Sequence, residues 1–435
     1  MKYLCILPLV LTVLFQVETA YSAEPPASCK LELIRLTQLP PGKERPKDEI
    51  LLRPGGRVLL NADLGDKGEQ HRNAVEKEFR DAIQKEPGEY QATHPVRGVT
   101  TLGGREYGFV FDKQSKNSQD YDRLYFDLNG NGDLTDDVPI DVPEYRQGYC
   151  SGDERYTLCD FPRVDIKISA EETQWDYSFW LWVELKHRGE EVVSLNSMLF
   201  PAAYRKGEIT LAGKQHAIIL LDRNAHGRFD VPVYFPREPD MFSDSLMRKF
   251  EMEILEGTEI LFDPDPPTER YLGAEYRGEH RQFLSKMNVL GGRFYNIKVQ
   301  PGGDELTCTP IEAPLGEIVV SQMPCNLWLI NKQGFLALDF QEDIPTEIPA
   351  GVWRLLYWNN HYCYNEYEPL TVTAAQTSKF NKLLKRSDPN VGYLIQSGDQ
   401  GMETIVVIYV TFGVLLCVIV VCYVVARRKN RSRHQ

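Results

Sequence analysis

The stretch "WDYSFWLWVELK", Trp175 to Lys186, decides the fold class. Trp175, Tyr177, Phe179, Leu181, Val183 and Leu185 fall on alternate positions, so one face of an extended chain is continuously apolar. That two-residue period is the mark of a β-strand and does not fit a helix. Trp180 and Trp182 project to the other face. Outward aromatics could stack on sugar rings, but a strand covered on both faces accounts for them without a ligand.

Working outward, strand patterns dominate. "KFEMEILEGTEILFD", from Lys249, is expected as a hairpin with Phe250, Met252 and Ile254 inward and Glu-Gly-Thr near its turn. "PAGVWRLLYW", from Pro349, predicts a turn running into another strand. Helix is scarce. "NAVEKEFRDAIQKEPG" places Val75, Phe79, Ala82 and Ile83 on one face, with Asn73 as cap, Glu76 three residues on, and Pro87-Gly88 as a stop. A shorter stripe is Phe380, Leu383 and Leu384. There is also an internal echo: "TLGGREYGFVF" begins at Thr101 and "TLAGKQHAIIL" at Thr210. Each leads toward an Asp/Asn/Gly loop, which implies two related β-modules.

The ends set the compartment. "MKYLCILPLVLTVLFQVETAYSA" has one Lys, an apolar run, and small residues at Ala20, Ser22 and Ala23, the layout of a secretory signal cleaved near Ser22 or Ala23. Thr404 to Ala426 is apolar and uncharged, long enough for a spanning helix, and "RRKNRSRHQ" follows at once. The positive-inside bias keeps Arg427, Arg428, Lys429, Arg431 and Arg433 in the cytoplasm and the bulk of the chain outside. The expected order is a signal peptide at 1–22, a β-rich module at 23–160, a second at 161–289, and a sandwich-like module at 290–375. A stalk at 376–403, a transmembrane helix at 404–426 and a basic tail at 427–435 follow. The fold class expected is mainly β, in two or three modules, with one C-terminal membrane helix.

Charge narrows the partners. The whole chain carries −13, and without the five basic tail residues the exported part carries about −18. Such a surface repels nucleic acid and attracts cations. Six of the nine cysteines lie outside signal and span: Cys29, Cys150, Cys159, Cys308, Cys325 and Cys363. An even number in an exported chain suggests disulfides, and proximity suggests Cys150–Cys159 and Cys308–Cys325. No CxxC occurs, so no redox pair or cysteine zinc site is signalled.

The candidate chemistry sits in "DLNGNGDLTDD", Asp127 to Asp137. Ca²⁺ takes six to eight oxygens, which a short loop supplies from alternate side chains while glycine lets the backbone curl. Asp127, Asn129 and Asn131 occupy positions one, three and five, Gly132 six, Asp133 seven through its carbonyl, and Leu134 an apolar eighth. A plain hairpin would need one Asn-Gly pair; it would not need Asp136 and Asp137 converging on Asp127.

This loop resembles EF-hand or dockerin-type calcium loops, and also exported bacterial proteins in which a strand runs into D-x-N-x-N-G. The resemblance covers about a dozen residues. It implies Ca²⁺ as cofactor, held by Asp127, Asn129, Asn131, Asp133, Asp136 and Asp137. Val138 stands where the family has a bidentate Glu, so Asp136 or Asp137 would supply those oxygens, and strand precedes the loop instead of helix. Affinity in the range of about 10⁻⁴–10⁻³ M follows. A weaker second set is Asp222, Asn224 and Asp230, with His226 where oxygen is wanted; a decayed loop kept for its turn accounts for it better, and a site completed by Asp240 or Asp244 is the alternative. The segment from Leu290 to Thr373 resembles transthyretin-like sandwich modules through "EIPAGVWRLLYW" alone, which bears on fold and not on function.

Enzyme signatures are lacking: there is no HExxH, GxSxG or P-loop, and the histidines are scattered. The sequence therefore points to a membrane-anchored extracellular protein with a structural calcium loop and a binding or scaffold role toward an extracellular protein or glycan. An extracellular hydrolase and a carbohydrate or adhesion module are the alternatives.

Overall fold

A computed structural model of the chain describes residues 24–37, 56–57, 59–60, 68–142, 146–151, 154–170, 172–189, 191–234, 256–264, 280–320, 325–332, 334–341, 343–358, 361–362 and 369–379. The described residues fall into two compact units, one within 1–233, 257–276 and 283–312, the other within 234–256, 277–282 and 313–435. Among them the chain is mainly antiparallel β-strand with one α-helix.

In the first unit Thr173–Arg188 is the organising strand. It pairs with Glu154–Asp160, Val164–Ala170 and Glu191–Pro201, so neighbours flank it along its length. Tyr177, Phe179, Leu181, Val183 and Leu185 are all completely buried on one face, as the alternation requires. Trp180, on the other face, packs against a second cluster of Leu36, Tyr204, Ile219, Leu221 and Leu261. Both faces are thus covered at that point, and Trp180 belongs to core packing. Trp182 lies edge-on to Phe200, with ring centroids 6.5 Å apart.

A second sheet runs in the order Leu59–Leu60, Val96–Leu102, Arg105–Asp112, Arg123–Phe126, Ile140–Asp141. The helix, Gly68–Ala82, packs on it through Phe79, joined by Ile83 just past its end, and both meet Val99, Val110 and Leu134. The expected apolar stripe is present, but the helix begins at Gly68, so Asn73 and Glu76 lie inside it and not at its start. Glu76 instead pairs with Arg80 one turn on, at 3.2 Å.

The echo is structural. Val96–Leu102 and Arg105–Asp112 form a hairpin through Gly103-Gly104, and Ala203–Leu211 and Lys214–Asp222 form another through Ala212-Gly213. All four turn residues have φ between 51° and 82°, the backbone of a type I′ turn whose twist matches its strands. The second hairpin continues into Thr258–Phe262, paired to Ile218–Asp222, and is flanked by Glu32–Arg35. The first arm of the hairpin expected at 249–263 lies outside the described residues. Strand pairing crosses the module limits expected from sequence. Glu154–Asp160 joins Thr173–Arg188 across position 160, and Ala27–Lys30 pairs with Glu305–Pro310.

In the second unit Leu315–Val319 pairs antiparallel with Thr346–Pro349 and parallel with Thr377–Lys379. A separate sheet centres on Cys325–Ile330 and Gly351–Trp358. The turn and strand expected at Pro349 are present: Trp353 is fully buried and its indole N–H donates to the Pro349 carbonyl at 2.9 Å.

Cys29, Cys159 and Cys308 carry free thiols, so neither pair expected from sequence proximity is made. The residue opposite Cys150 is Arg155, four positions from Cys159, because strand register sets neighbours and closeness in sequence does not. Among the described residues no helix is long and apolar enough to cross a membrane. The signal, span and tail, the stalk beyond residue 379, and the stripe at Phe380, Leu383 and Leu384 lie outside the described residues; the start of the expected stalk is corrected, because Thr377–Lys379 is a strand paired with Leu315–Val319.

Candidate functional site

The first Asp/Asn/Gly loop leaves strand Arg123–Phe126 at Asp127, which is almost fully buried. Its carboxylate is divided between two backbone donors: Oδ1 accepts the Asn131 N–H at 2.9 Å and Oδ2 the Gly132 N–H at 3.0 Å. The following side chains repeat a shorter version of the same bond. Asn129 Oδ1 accepts from Asn131 N–H, Asn131 Oδ1 from Asp133 N–H, and Asp133 Oδ1 from Thr135 N–H, at 2.9, 2.7 and 2.8 Å. Each is an Asx turn, and the alternate spacing legible in the sequence is what lets them follow one another.

These turns curl the loop so that Asn129 and Asn131 both reach Asp136. Asn131 Nδ2 lies 2.7 Å from Asp136 Oδ2, and Asn129 Nδ2 lies 3.4 Å from it. Asp137 Oδ2 accepts the Leu128 N–H at 3.0 Å and closes the loop's base. Partial burial, with Asp136, Asp127 and Asp133 nearby, pushes the Asp137 carboxyl up to about 6. Asp133 turns elsewhere. Its Oδ2 meets Lys85 Nζ at 2.8 Å, and Lys85 with Thr135 draws it down to about 2.

The loop is fastened to the end of the helix. Gln84 and Lys85 N–H groups both donate to the Gly132 carbonyl, at 2.8 and 3.1 Å, and Leu134 N–H donates to the Lys85 carbonyl at 3.0 Å. Leu134, the apolar eighth position, is buried against Phe79 and Ile83. Gly132 has φ +81°, and a Cβ there would stand 2.9 Å from the Ala82 carbonyl oxygen, so glycine is required twice over.

The second loop repeats the closure. Asp222 Oδ1 accepts the His226 N–H at 3.0 Å and Oδ2 the Gly227 N–H at 2.7 Å, the same four- and five-residue offsets as at Asp127. Here a third donor takes part: Tyr177 Oη donates to Asp222 Oδ2 at 2.8 Å, in a fully buried position. Asp230 is forked onto Arg228 by two 2.7 Å bonds. The carboxylate oxygens of Asp222 and Asp230 are therefore taken up by protein donors, whereas Asn224 Oδ1 is buried without a hydrogen-bond partner. The loop also locks the two hairpins together: Gly103 N–H donates to the His226 carbonyl at 2.7 Å and Trp175 Nε1 to the Gly227 carbonyl at 2.8 Å. Asp240 and Asp244 lie outside the described residues.

Of the first loop's six candidates, the structure gathers Asn129, Asn131 and Asp136 together and sets Asp127 and Asp137 at the loop's ends. Asp133 turns away as a side chain. Among the described residues no three His, Cys, Asp or Glu side chains are grouped so as to hold a metal ion, and the oxygen set here depends on two amides. It is a hard-oxygen set, which fits calcium better than zinc or copper. Each amide oxygen uses one lone pair on a backbone N–H and has a second to offer. Sequence reasoning missed the parts of Lys85 and Tyr177. Neither has a local signal, since their partners lie 48 and 45 residues away. The chain matches no protein-family model, no curated protein and no solved structure.

Proposed function

We propose that the chain is a β-rich extracellular protein, tethered by a C-terminal membrane helix, whose loop from Asp127 to Val138 binds Ca²⁺. The observation that carries this reading is the succession of Asx turns bringing the side-chain amides of Asn129 and Asn131 to within 2.7–3.5 Å of the Asp136 carboxylate. A turn alone needs one such bond, and four acidic side chains within it repel each other unless a cation intervenes. The ion's part is structural. It offsets that repulsion and braces the loop that is fastened to the helix end. At an ion concentration about tenfold above Kd the fold gains about 1.4 kcal/mol.

The apolar run at 404–426 with its basic tail supports the anchor, and a binding or scaffold role toward an extracellular protein or glycan follows from the absence of catalytic motifs in the sequence. Calorimetry with Ca²⁺ on wild type and Asp136→Asn tests the metal reading. Asp136 is the better choice over Asp127, whose carboxylate holds the loop closed without any ion. The expected result is a Kd of about 10⁻⁴–10⁻³ M for the wild type, weakened at least tenfold in the variant. Equal heats from both proteins would leave the loop a hydrogen-bonded turn and nothing more.

A further inference from the structure

The chain contains two Asn-Gly bonds, Asn129-Gly130 and Asn131-Gly132, and both lie in the first loop. A glycine has no side chain to shield its own nitrogen, so the carboxamide of an asparagine before it is open to attack by that nitrogen. Both asparagines are exposed, so accessibility does not separate them. Their surroundings do.

The Gly132 N–H donates to Asp127 Oδ2 at 3.0 Å, so a carboxylate sits against the nitrogen that would attack Asn131. The Asn131 carboxamide is also held at both ends: Oδ1 accepts the Asp133 N–H and Nδ2 donates to Asp136, each at 2.7 Å. The Gly130 N–H, by contrast, has no protein acceptor among the described residues. Arg105 rests against that glycine, and a Cβ at Gly130 would stand 3.0 Å from the guanidinium carbon. The guanidinium lies over the Tyr107 ring and makes no ion pair among the described residues. Asn129 Nδ2 is 3.4 and 3.5 Å from the two Asp136 oxygens, which leaves one short bond on that carboxamide, from the Asn131 N–H to Oδ1 at 2.9 Å.

We propose that Asn129 is a site of spontaneous deamidation from which Asn131, two residues on, is shielded. The Gly130 nitrogen gives its proton to a base in the solvent and attacks Asn129 Cγ. A C–N bond forms to the backbone, the Cγ–Nδ2 bond breaks, and Nδ2 leaves as ammonia with a proton returned from water. Water then opens the cyclic imide at either carbonyl, giving aspartate or isoaspartate. The rate follows the fraction of glycine amide present as its anion, which a nearby cation favours and a nearby anion opposes. Arg105 favours it at Gly130, and Asp127 opposes it at Gly132. The aspartate product can still accept the Asn131 N–H, but it faces Asp136 with a carboxylate where the Nδ2 donor stood. The loop's negative charge therefore rises as the protein ages. These contacts are made by the protein alone, without the ion proposed above.

The test is incubation of the full chain in detergent and chelator, in warm, mildly alkaline buffer, with tandem mass spectrometry locating the modification in the loop peptide. A charge within about 4–6 Å moves an ionisation by about 1–3 pKa units, so Asn129 should convert at least about tenfold faster than Asn131. In urea the two rates should converge, since both asparagines precede glycine. Arg105→Gln should slow Asn129 by about tenfold and leave Asn131 unchanged, while Arg105→Lys should keep most of the wild-type rate. No conversion at Asn129, equal rates in the folded wild type, or an undiminished Asn129 rate in Arg105→Gln overturns the proposal. If Arg105→Gln does not fold, the wild type alone decides: a ratio of Asn129 to Asn131 conversion no larger in the folded chain than in urea refutes it.

Discussion

Gly132→Ala is the sharpest test of how the first loop is built. Gly132 has φ +81°, a left-handed backbone that costs an L-residue about 1–2 kcal/mol. The added Cβ would also stand 2.9 Å from the carbonyl oxygen of Ala82. A backbone atom at the helix end cannot swing aside, so a clash of the overpacking kind adds about 1–3 kcal/mol. Relief by moving residue 132 would stretch the bonds its carbonyl accepts from Gln84 and Lys85. The expected loss is therefore about 2–5 kcal/mol. Gly213→Ala is the matched control, because it has φ +76° and nothing within 4 Å of its Cβ. It should lose only the conformational part, about 1–2 kcal/mol. Urea unfolding followed by circular dichroism, with equal slopes for the two variants, measures the difference. Equal losses would mean that the loop is not seated against the helix end.

Three further outcomes are expected. Tyr177→Phe removes the buried hydroxyl that Asp222 accepts and should cost about 1.5–3 kcal/mol in the same assay, while a loss under about 0.5 kcal/mol would mean that Asp222 is satisfied by its backbone donors alone. In metal-free protein Asp137, raised to about 6 by burial and its acidic neighbours, contributes stability that is fully present below pH 3.8 and is lost as pH rises through about 6. The melting temperature in chelator should fall across that window, by less than the shift implies because the group is partly solvated, and Asp137→Asn should flatten the fall; parallel curves would remove the explanation. Trp180→Ala should destabilise the protein by about 3 kcal/mol through lost packing on Leu36, Tyr204 and Ile219, and a variant of wild-type stability would contradict its place in the core.

Much of the fold and of the first loop is legible in sequence because it is local. Strict alternation from Trp175 to Leu185 specifies a strand, and the echo of Thr101 in Thr210 marks two related β-segments, whose tight turns at Gly103-Gly104 and Ala212-Gly213 only the structure reveals. The Asp/Asn spacing from Asp127 onward specifies successive Asx turns, since each bond spans only two to five residues. What is not legible depends on register. Cys150 pairs with Arg155 and not Cys159, although all three lie within ten residues of one another. The start of the helix is hidden because Gly68 to Arg72 offers no apolar face to count, whereas the stripe of Val75, Phe79 and Ile83 is plain. The contact of His187 with Asp120 crosses between sheets, and no spacing in the chain announces it.

The pairing of Ala27–Lys30 with Glu305–Pro310 has a consequence for how the molecule is made. Ser28 Oγ and Thr307 Oγ1 stand 2.8 Å apart with a separation of 279 positions along the chain. The opening strand of the first unit must therefore wait, edge exposed, until the ribosome has delivered nearly three quarters of the polypeptide. Loop closure over such a span is slow, and unpaired strand edges attract other chains meanwhile. Chains cut short anywhere before residue 305 should accumulate with that edge bare, and the biogenesis of this protein should lean on whatever chaperone shields extended segments in its compartment.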